Sequence, residues 1–466
     1  MHQGIKQEQE DIHKEFKRQR YLVFSLKAKQ LLVKRVLPRK ARDQLPIWSE
    51  FNQLAQKYNA INLCHGTPGL DPPSFLIDNL ERACREGFNQ YTLFQGHPLF
   101  REKLSEFFSP HFKQAKNGQT LNPHTEILVT NGASEALFCA IHHLVEKGDE
   151  VIMFEPYYTS YVSSVEFGGA TIKTAPFFLK NGQWEYDFDA LEKQINPKTK
   201  VLMITNPHNP TSKVFTYDEL LRLTEIVEKH PQLVVVSDDV YYFLPYDNRK
   251  YQLFANIGDN YKRTITVFSA GKMMNCTGWK VGWAIGPADL IKHTCYVHEA
   301  SVFNNNVPGQ IAIAKSLDQT MKPYQGHQNY YEYVRNTFQQ ARDNAIDLLN
   351  LSTGIKFKPT KCESGYFMAV DISENAHLIP DKYKIPGNYE TDPNTIVIQR
   401  QFQERVHLDY SFCRWMAIEK GISLMPLSSF CLEESKFKLE NYIRLAICKP
   451  PQTFTDPNLI KRFQSL

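Results

Sequence analysis

Short apolar runs of strand length alternate with longer segments of helical periodicity through the middle of this 466-residue chain. The runs cover residues 127–130, 150–154, 201–205, 233–236, 264–268 and 281–285. One helix begins near Ser134, and another begins at the capping-box sequence that Thr216 opens. Strands that alternate with helices pair mostly in parallel, with helices on both faces of the sheet. We therefore predict an α/β fold built on a mostly parallel sheet.

A second, smaller α/β unit is predicted in the last third of the chain. Residues 310–350 have the apolar spacing of helix, and residues 367–371, 422–425 and 442–446 read as strands. The polar segment 372–409 is rich in proline, asparagine and glutamine, which predicts mostly loop. The predicted division is a basic extension (1–42), a segment packing with the small domain (43–75), a large cofactor-binding domain (76–345) and a small C-terminal domain (346–466).

The N-terminal extension has an unusual charge pattern. Residues 16–42 contain many lysines and arginines and no acid, and leucines among them can form one apolar stripe of a helix. This pattern resembles an organelle transit peptide, although acidic residues precede it, which such peptides avoid. An extension that docks on the body of the protein, or on a partner in a larger assembly, explains the pattern equally well. The localisation is therefore left open between mitochondrion and cytoplasm.

Composition argues against several broad classes of protein. Hydrophobic residues make up 42% and charged residues 22%, which is ordinary for a soluble globular protein. The net charge of +4 is nearly balanced for this length, so a dedicated nucleic-acid binder is not indicated. No apolar run approaches the roughly 20 residues that a membrane span needs. The nine cysteines are scattered singly without metal-ligand spacing, which favours a reducing compartment and predicts no metal site.

Polar residues stand where the predicted strands end, which is where open α/β sheets bind their ligands. Gly132, Ala133 and Ser134 lie between a strand and a helix. Small residues at such a turn let backbone N–H groups and the helix dipole approach a phosphate. Ser269 and Lys280, which flank Lys272 along the chain, could add a hydroxyl and a cation to the same anion. These five residues are the predicted phosphate site.

Asp238, Tyr241 and Asn209 follow two further strands. A buried carboxylate needs a cation, and a protonated pyridine nitrogen would serve Asp238. Tyr241 and Asn209 could both reach a phenolic oxygen on the same ring. Taken singly, a helix N-cap explains Asp238 better and a turn explains Asn209 better. The case for a site therefore depends on the residues acting as a set.

Lys272 follows the run 264–268 and adds an amine to this set. A lysine amine can form a Schiff base with an aldehyde. Pyridoxal 5′-phosphate needs four kinds of protein group: a cradle for its phosphate, an acid for its ring nitrogen, hydrogen-bond partners for its ring oxygen and an amine for its aldehyde. The predicted set contains all four. Tyr158 is placed to stack on the face of the ring. The set predicts pyridoxal 5′-phosphate as the cofactor.

Several stretches resemble the class I/II aminotransferases of fold type I. They are residues 131–137, 206–211, 238–241, 269–272 and 278–283. The chain looks most like the group formed by kynurenine aminotransferase, glutamine transaminase K and cysteine conjugate β-lyase. That narrower likeness is carried by residues 48–51, 89–92, 278–283, 301–303 and 441–444. The resemblance implies a three-layer fold with a mostly parallel, seven-stranded sheet in the large domain and a small α/β domain beside it.

The same resemblance implies how a substrate and a second subunit are bound. Tyr91 would reach the phosphate of the neighbouring subunit, so that a homodimer shares its active sites. Arg444 would hold the substrate α-carboxylate as a bidentate fork, helped by Asn209 and the backbone at Gly66.

The substrate side chain would meet Trp48 and Phe303, which favours large apolar or aromatic amino acids. With Lys272, Asp238 and Tyr241 as catalytic residues, the resemblance implies transfer of an amino group to a 2-oxo acid through a Lys272 Schiff base. Donors of the glutamine or kynurenine kind would fit. β-Elimination from cysteine S-conjugates could compete as a side activity, because the same carbanion can expel a leaving group.

Two other functions stay open from the sequence. One is a related pyridoxal-phosphate lyase resembling aminocyclopropane-carboxylate synthase, which analysis of products would distinguish. The other is a structural subunit of a larger assembly, attached through the basic extension. The presence of every chemical residue argues against lost catalysis but leaves a second role open.

Overall fold

A computed structural model describes residues 47–385 and 405–466. The predicted basic extension (1–42) and part of the predicted loop 372–409 therefore lie outside the described residues. All described residues belong to one compact unit, and the predicted domain boundaries stay a prediction. Within the described ranges, no helix is both long and apolar enough to cross a membrane.

The strands and helices follow each other along the chain largely as predicted. The strands are β1 (Ile61–Asn62), β2 (Ile127–Thr130), β3 (Glu150–Glu155), β4 (Thr171–Lys180), β5 (Gln183–Tyr186), β6 (Thr199–Thr205), β7 (Val234–Asp238), β8 (Thr264–Ser269), β9 (Gly282–Ile285), β10 (Lys358–Pro359), β11 (Phe367–Asp371), β12 (Ile422–Ser423), β13 (Met425–Pro426) and β14 (Tyr442–Ala446). The helices are α1 (Ile47–Lys57), α2 (Ser74–Arg85), α3 (Pro98–Phe108), α4 (Ala133–Leu144), α5 (Ser160–Phe167), α6 (Phe188–Gln194), α7 (Tyr217–Lys229), α8 (Ala270–Met273), α9 (Ala288–Val302), α10 (Val307–Thr320), α11 (Tyr330–Asn350), α12 (Leu408–Glu419) and α13 (Pro457–Gln464).

The large sheet has the strand order β2-β9-β8-β7-β6-β3-β4-β5. Strands β4, β3, β6, β7 and β8 pair in parallel. Strand β9 runs antiparallel between β2 and β8, and β5 runs antiparallel at the edge. The α/β class and the mostly parallel sheet are confirmed. The sheet has eight strands, one more than the seven implied by the family resemblance.

The hairpin of β4 and β5 has no counterpart among the predicted strands. Its turn is Asn181-Gly182, and both residues have positive φ, 51° and 74°. Such a pair matches the turn that joins two right-twisted antiparallel strands. Strand β4 is only partly buried along its length, so it lacks the continuous apolar run of the central strands.

The structure refines two other predictions. The helical region 310–350 is divided into two helices, α10 and α11. The chain turns between them at residues 321–329, because Pro323 and the positive-φ pair Gln325-Gly326 do not fit a continuous helix. The predicted strand 422–425 is two short strands in different sheets: β12 pairs with β1, and β13 pairs with β14.

Two apolar clusters cover opposite faces of the large sheet. One contains Val151 and Met153 of β3 with α4 and α9, and the other contains Ile152 and Phe154 with α7. The alternation follows from the pleat, because successive side chains of a strand point to opposite faces. The sheet is thus the middle of three layers. Its parallel strands end along one edge, where the loops after β2, β6, β7 and β8 come together.

Candidate functional site

One cavity at the carboxyl ends of these strands gathers most of the predicted site residues. It has a volume of about 420 Å³. Its lining includes Trp48, Gly66, Gly132, Ala133, Ser134, Tyr158, Asn209, Asp238, Tyr241, Ser269, Lys272, Lys280 and Arg444. The parallel direction of β2, β6, β7 and β8 explains the grouping, because their carboxyl ends share one edge of the sheet. The positions are observed, whereas the individual roles stay predictions.

The turn between β2 and α4 forms a cradle of small residues. Gly132 has φ +79°, a conformation that favours glycine, and it directly precedes the first residue of α4. A Cβ atom at Gly132 would lie 3.2 Å from the Nζ atom of Lys280. The cradle therefore combines the N-terminus of a twelve-residue helix with a lysine ammonium group. Both features favour an anion.

Asp238 ends β7 at the bottom of the cavity and is 5% exposed. Burial raises its pKa to about 6, although a hydrogen bond from the Tyr161 hydroxyl, 2.6 Å from Oδ2, opposes that shift. No ion pair to Asp238 occurs within residues 47–385 and 405–466. A cationic group of a bound ligand, placed beside this buried carboxylate, would stabilise its negative charge.

Lys272 lies on the short helix α8, which follows β8, and is partly buried. Its Nζ atom donates to the Gly66 carbonyl at 3.5 Å and lies 4.5 Å from the centre of the Tyr366 ring. Burial is the main reason why its pKa falls from 10.5 to about 8. An amine with this pKa is partly neutral near physiological pH, which is the form that attacks an aldehyde or accepts a proton.

Arg444 comes from β14, 235 residues beyond Asn209, and is 1% exposed. Its Nη1 atom donates to Asn209 Oδ1 and its Nη2 atom to the Cys64 carbonyl, both at 3.1 Å. Its Nε atom is buried and has no hydrogen-bond partner among residues 47–385 and 405–466. No carboxylate pairs with this guanidinium in the described parts of the chain. A buried cation with an unused donor is a binding site for an anion.

Aromatic rings surround the Arg444 guanidinium. Its Cζ atom lies 3.6 Å from the centre of the Phe367 ring, 4.6 Å from that of Phe430 and 4.9 Å from that of Trp48. Gly66 borders the same space, and a Cβ atom there would lie 2.3 Å from Phe367. Glycine is therefore required for the backbone to approach so closely. The cation and the rings together fit a small carboxylate that carries an apolar side chain.

Two predicted residues, Tyr91 and Phe303, are not among those that line this cavity. They are 82% and 53% exposed, and their rings pack edge to face with centres 5.6 Å apart. The prediction that Phe303 lines the side-chain pocket is therefore not met within one chain. The predicted reach of Tyr91 into a neighbouring subunit is not tested by a single chain.

Sequence reasoning missed several residues of the site. Tyr161 supports Asp238 and also bonds the Thr205 hydroxyl at 2.9 Å, yet it reads as an ordinary residue of α5. Tyr158 precedes α5, and its ring meets that of Tyr161 edge to face with centres 5.5 Å apart, so helical spacing in the sequence could not relate the two residues. Phe367 and Phe430 meet Arg444 only through tertiary packing, and their local sequence gives no sign of that contact.

These groups fit pyridoxal 5′-phosphate. The Gly132–Ser134 turn with Ser269 and Lys280 would hold the phosphate, and Asp238 would hold the pyridinium nitrogen. Tyr241 and Asn209 would face the phenolic oxygen, while the Lys272 amine would meet the aldehyde. The observations behind this fit are the uncompensated buried Asp238, the glycine cradle beside Lys280 and the lowered pKa of Lys272.

Comparison with known proteins agrees with this chemistry. The family described as "Aminotransferase class I and II" matches residues 58–454. The kynurenine--oxoglutarate transaminase of Dictyostelium discoideum is 33% identical over 432 residues, which cover 89% of this chain and 93% of that protein. Kynurenine--oxoglutarate transaminase 3 of Homo sapiens is 33% identical over 87% of this chain and 85% of its own length. The crystal structure of Bna3p from Saccharomyces cerevisiae has a TM-score of 0.78 and 28% identity, covering 92% of this chain and 98% of that chain.

The family match spans most of the chain, including the lysine, the buried aspartate and the buried arginine of the cavity. The solved relative shares the fold over nearly its whole length. The chain therefore belongs to the class I and II aminotransferases and is a pyridoxal-phosphate-dependent enzyme.

Proposed function

We propose that this aminotransferase takes its amino group from a large apolar or aromatic amino acid, or from one of the glutamine or kynurenine kind, and passes it to a 2-oxo acid. The observation that carries the proposal is the uncompensated Arg444 cation set among aromatic rings. The names of the relatives from Dictyostelium discoideum and Homo sapiens, both kynurenine--oxoglutarate transaminases, support the same substrate class.

Arg444 orients the substrate through its α-carboxylate. Nη1 and Nη2 are already fixed by Asn209 and the Cys64 carbonyl, so the guanidinium plane is held before the substrate arrives. A preorganised donor loses little conformational entropy on binding. The side chain of the substrate then extends toward Trp48, whose ring lies 6.5 Å from that of Tyr158 and 5.4 Å from that of Phe430, measured between centres.

The chain's own residues supply a base and a buried acid at the reacting centre. When bound, the cofactor supplies an electron-withdrawing ring that stabilises negative charge at the α-carbon of the amino acid. The Nζ atom of Lys272 accepts the α-proton, which its lowered pKa favours near pH 8. Asp238 keeps its charge opposite the ring nitrogen, and the Tyr161 hydroxyl holds that carboxylate in place at 2.6 Å.

A panel of amino donors tests the substrate class. Kynurenine, phenylalanine, glutamine, methionine, alanine and aspartate are compared with 2-oxoglutarate as acceptor, for the wild type and for Trp48→Ala. We expect the large donors to have the highest kcat/KM. Trp48→Ala should lower kcat/KM about tenfold to a hundredfold more for phenylalanine and kynurenine than for alanine. Only the large side chains reach the Trp48 ring, whereas the contact of this ring with the Arg444 guanidinium is common to all donors.

Phe178→Ala is the matched control, since Phe178 is an exposed aromatic residue outside the cavity lining. The proposed substrate class would be contradicted if the wild type had its highest kcat/KM with aspartate. It would also be contradicted if Trp48→Ala lowered kcat/KM for alanine and phenylalanine by the same factor. Release of a 2-oxo acid and a thiol from a cysteine S-conjugate in the same assay measures the proposed β-elimination side activity.

We propose further that the enzyme is a homodimer whose subunits share residues across the active sites. Two large exposed rings, Tyr91 and Phe303, support a contact with a second copy. Sedimentation should give about twice the chain mass of 54.0 kDa. Mixed dimers of Tyr91→Ala with Lys272→Ala chains should regain activity, because one of their two sites is then intact. A monomeric mass, or mixtures no more active than their parents, would rule the shared site out.

A further inference from the structure

A buried glutamate–histidine pair lies next to the phosphate cradle. The Oε1 atom of Glu135, in the first turn of α4, is 2.6 Å from the Nδ1 atom of His298, on α9. The His298 side chain is fully buried and that of Glu135 is 11% exposed. Neither residue lines the cavity, so the proposed function leaves the pair unexplained.

Hydrogen bonding assigns the charge on each partner. The two ring nitrogens of His298 face acceptors only: Nδ1 faces Glu135, and Nε2 lies 2.8 Å from the Phe94 carbonyl. A ring that donates from both nitrogens is an imidazolium ion. Burial acts to raise the pKa of Glu135, but His298, the Asn131 N–H and the Cys139 thiol outweigh it, and the pKa is lowered. The positions of these acceptors therefore favour a carboxylate beside a ring that donates from both nitrogens.

Glu135 also fixes the backbone of the cradle. Its Oε2 atom accepts the Asn131 N–H at 2.6 Å, which holds the turn that carries Gly132 and the next two residues. This contact places a negative charge in the first turn of the helix whose N-terminus would bind the phosphate. An unbalanced carboxylate there would repel the phosphate dianion. The remaining donors on Oε1 are the Cys139 thiol at 3.3 Å and the Ser301 hydroxyl at 3.4 Å, and neither carries a positive charge.

We propose that Glu135 and His298 are positioning residues for the cofactor phosphate. Glu135 holds the cradle turn, and His298 supplies the positive charge that prevents the Glu135 carboxylate from repelling the phosphate. His298 also links the cradle to the Phe94 segment, which follows Tyr91 along the chain. The proposal rests on the phosphate position inferred for the Gly132–Ser134 turn.

Binding of two forms of the cofactor tests the proposal. Cofactor-free full-length protein is titrated with pyridoxal 5′-phosphate and with pyridoxal, which lacks the phosphate, and each Kd is read from the absorbance change. His298→Asn keeps a donor near the position of Nδ1 and removes the charge. We expect it to raise the Kd of pyridoxal 5′-phosphate about tenfold and to leave that of pyridoxal unchanged.

The double variant Glu135→Gln/His298→Asn identifies the electrostatic cause. Once Glu135 is neutral, the loss of the His298 charge leaves no uncompensated carboxylate near the phosphate. The Kd of pyridoxal 5′-phosphate for the double variant should therefore lie within about twofold of that for Glu135→Gln alone. Equal weakening of both ligands by His298→Asn, or no relief in the double variant, overturns the proposal and leaves the pair a purely structural one. Should His298→Asn fail to fold, His298→Gln replaces it in both titrations, and the same two outcomes support or overturn the proposal.

Lys280→Met separates a failure of this proposal from a failure of the phosphate site itself. Removal of the cradle lysine should weaken pyridoxal 5′-phosphate selectively. If Lys280→Met weakens pyridoxal 5′-phosphate more than pyridoxal and His298→Asn does not, the inferred phosphate position is supported and the role proposed for Glu135 and His298 is wrong. If neither variant distinguishes the two ligands, the phosphate lies elsewhere and both inferences fall.

Discussion

Replacing Lys272 with alanine is expected to lower the rate of amino transfer by about 10⁴-fold or more, the upper range for the loss of a positioned general base. The physical reason is that Lys272 is the partly neutral amine of the cavity, with a pKa near 8 and its Nζ atom beside the Gly66 carbonyl and the Tyr366 ring. Single-turnover absorbance with a large amino acid measures the loss, and an added small primary amine should restore part of the rate.

The other lysine of the cavity provides the control. Lys280→Ala should weaken cofactor binding, yet its rate with saturating cofactor should stay within about tenfold of the wild type, since the role predicted for this lysine is to hold a phosphate and not to move a proton. A Lys272→Ala variant that keeps a tenth of the wild-type rate would show that another group is the base.

The pH dependence of Lys272 follows from the same burial. A lysine with a lowered pKa is charged below that pKa and neutral above it. The rate at which cofactor-free protein captures an added aldehyde should therefore rise with pH and level off above about pH 8, instead of rising toward 10.5. Stopped-flow mixing across this range gives the profile. In Lys272→Ala the capture should vanish.

Replacing Arg444 with methionine is expected to lower kcat/KM for amino donors by about 30-fold to several thousandfold, because the loss of one partner of a buried charged pair costs about 2–5 kcal/mol. Both the amino acid and the 2-oxo acid should be affected, since both carry the carboxylate. Steady-state kinetics with each substrate varied in turn measures the effect. Arg444→Lys should recover only part of the loss, because an ammonium cannot form the two parallel hydrogen bonds of a guanidinium.

Stability should not follow activity in this variant. Within the described residues Arg444 has no acidic partner, and burial lowers its pKa from 12.5 to about 10, so the cost of burying its charge outweighs its two hydrogen bonds and its contacts with the aromatic rings. An apolar side chain of similar volume in place of such a charge is often neutral or stabilising. We expect the Tm of Arg444→Met to equal or exceed that of the wild type. A large fall in Tm together with unchanged KM values would mean that Arg444 has a structural role.

The grouping of the predicted cofactor residues in one cavity could be predicted from the sequence because most of them follow a strand. Asp238, Lys272 and Gly132 each follow an apolar run that is visible in the sequence. Parallel pairing brings the ends of such runs to one edge of the sheet, so local pattern and topology together were enough. The hairpin of β4 and β5 was missed because its strands are partly exposed and lack that signal.

The substrate half could not be reached by the same reasoning. Arg444 was placed there by family resemblance, since no local pattern relates it to Asn209, 235 residues earlier. Its aromatic surroundings come from three separate parts of the chain. Side chains in such contacts are selected by packing and by the need to satisfy buried charge, and both depend on distances that only the folded chain defines.

The sequence by itself determined the α/β class and the set of residues that present a lysine, an acid and an anion cradle at one edge of a sheet. It could do so because hydrophobic periodicity and strand direction are local properties. Only the tertiary structure decided that the Tyr161 hydroxyl bonds Asp238 and that Glu135 contacts His298, 163 residues away. It also decided that, among the described residues, the buried Nε atom of Arg444 meets no hydrogen-bond partner. Each of these features concerns a charged group buried away from water, and such a group is paired or left unpaired only once folding brings its neighbours into contact.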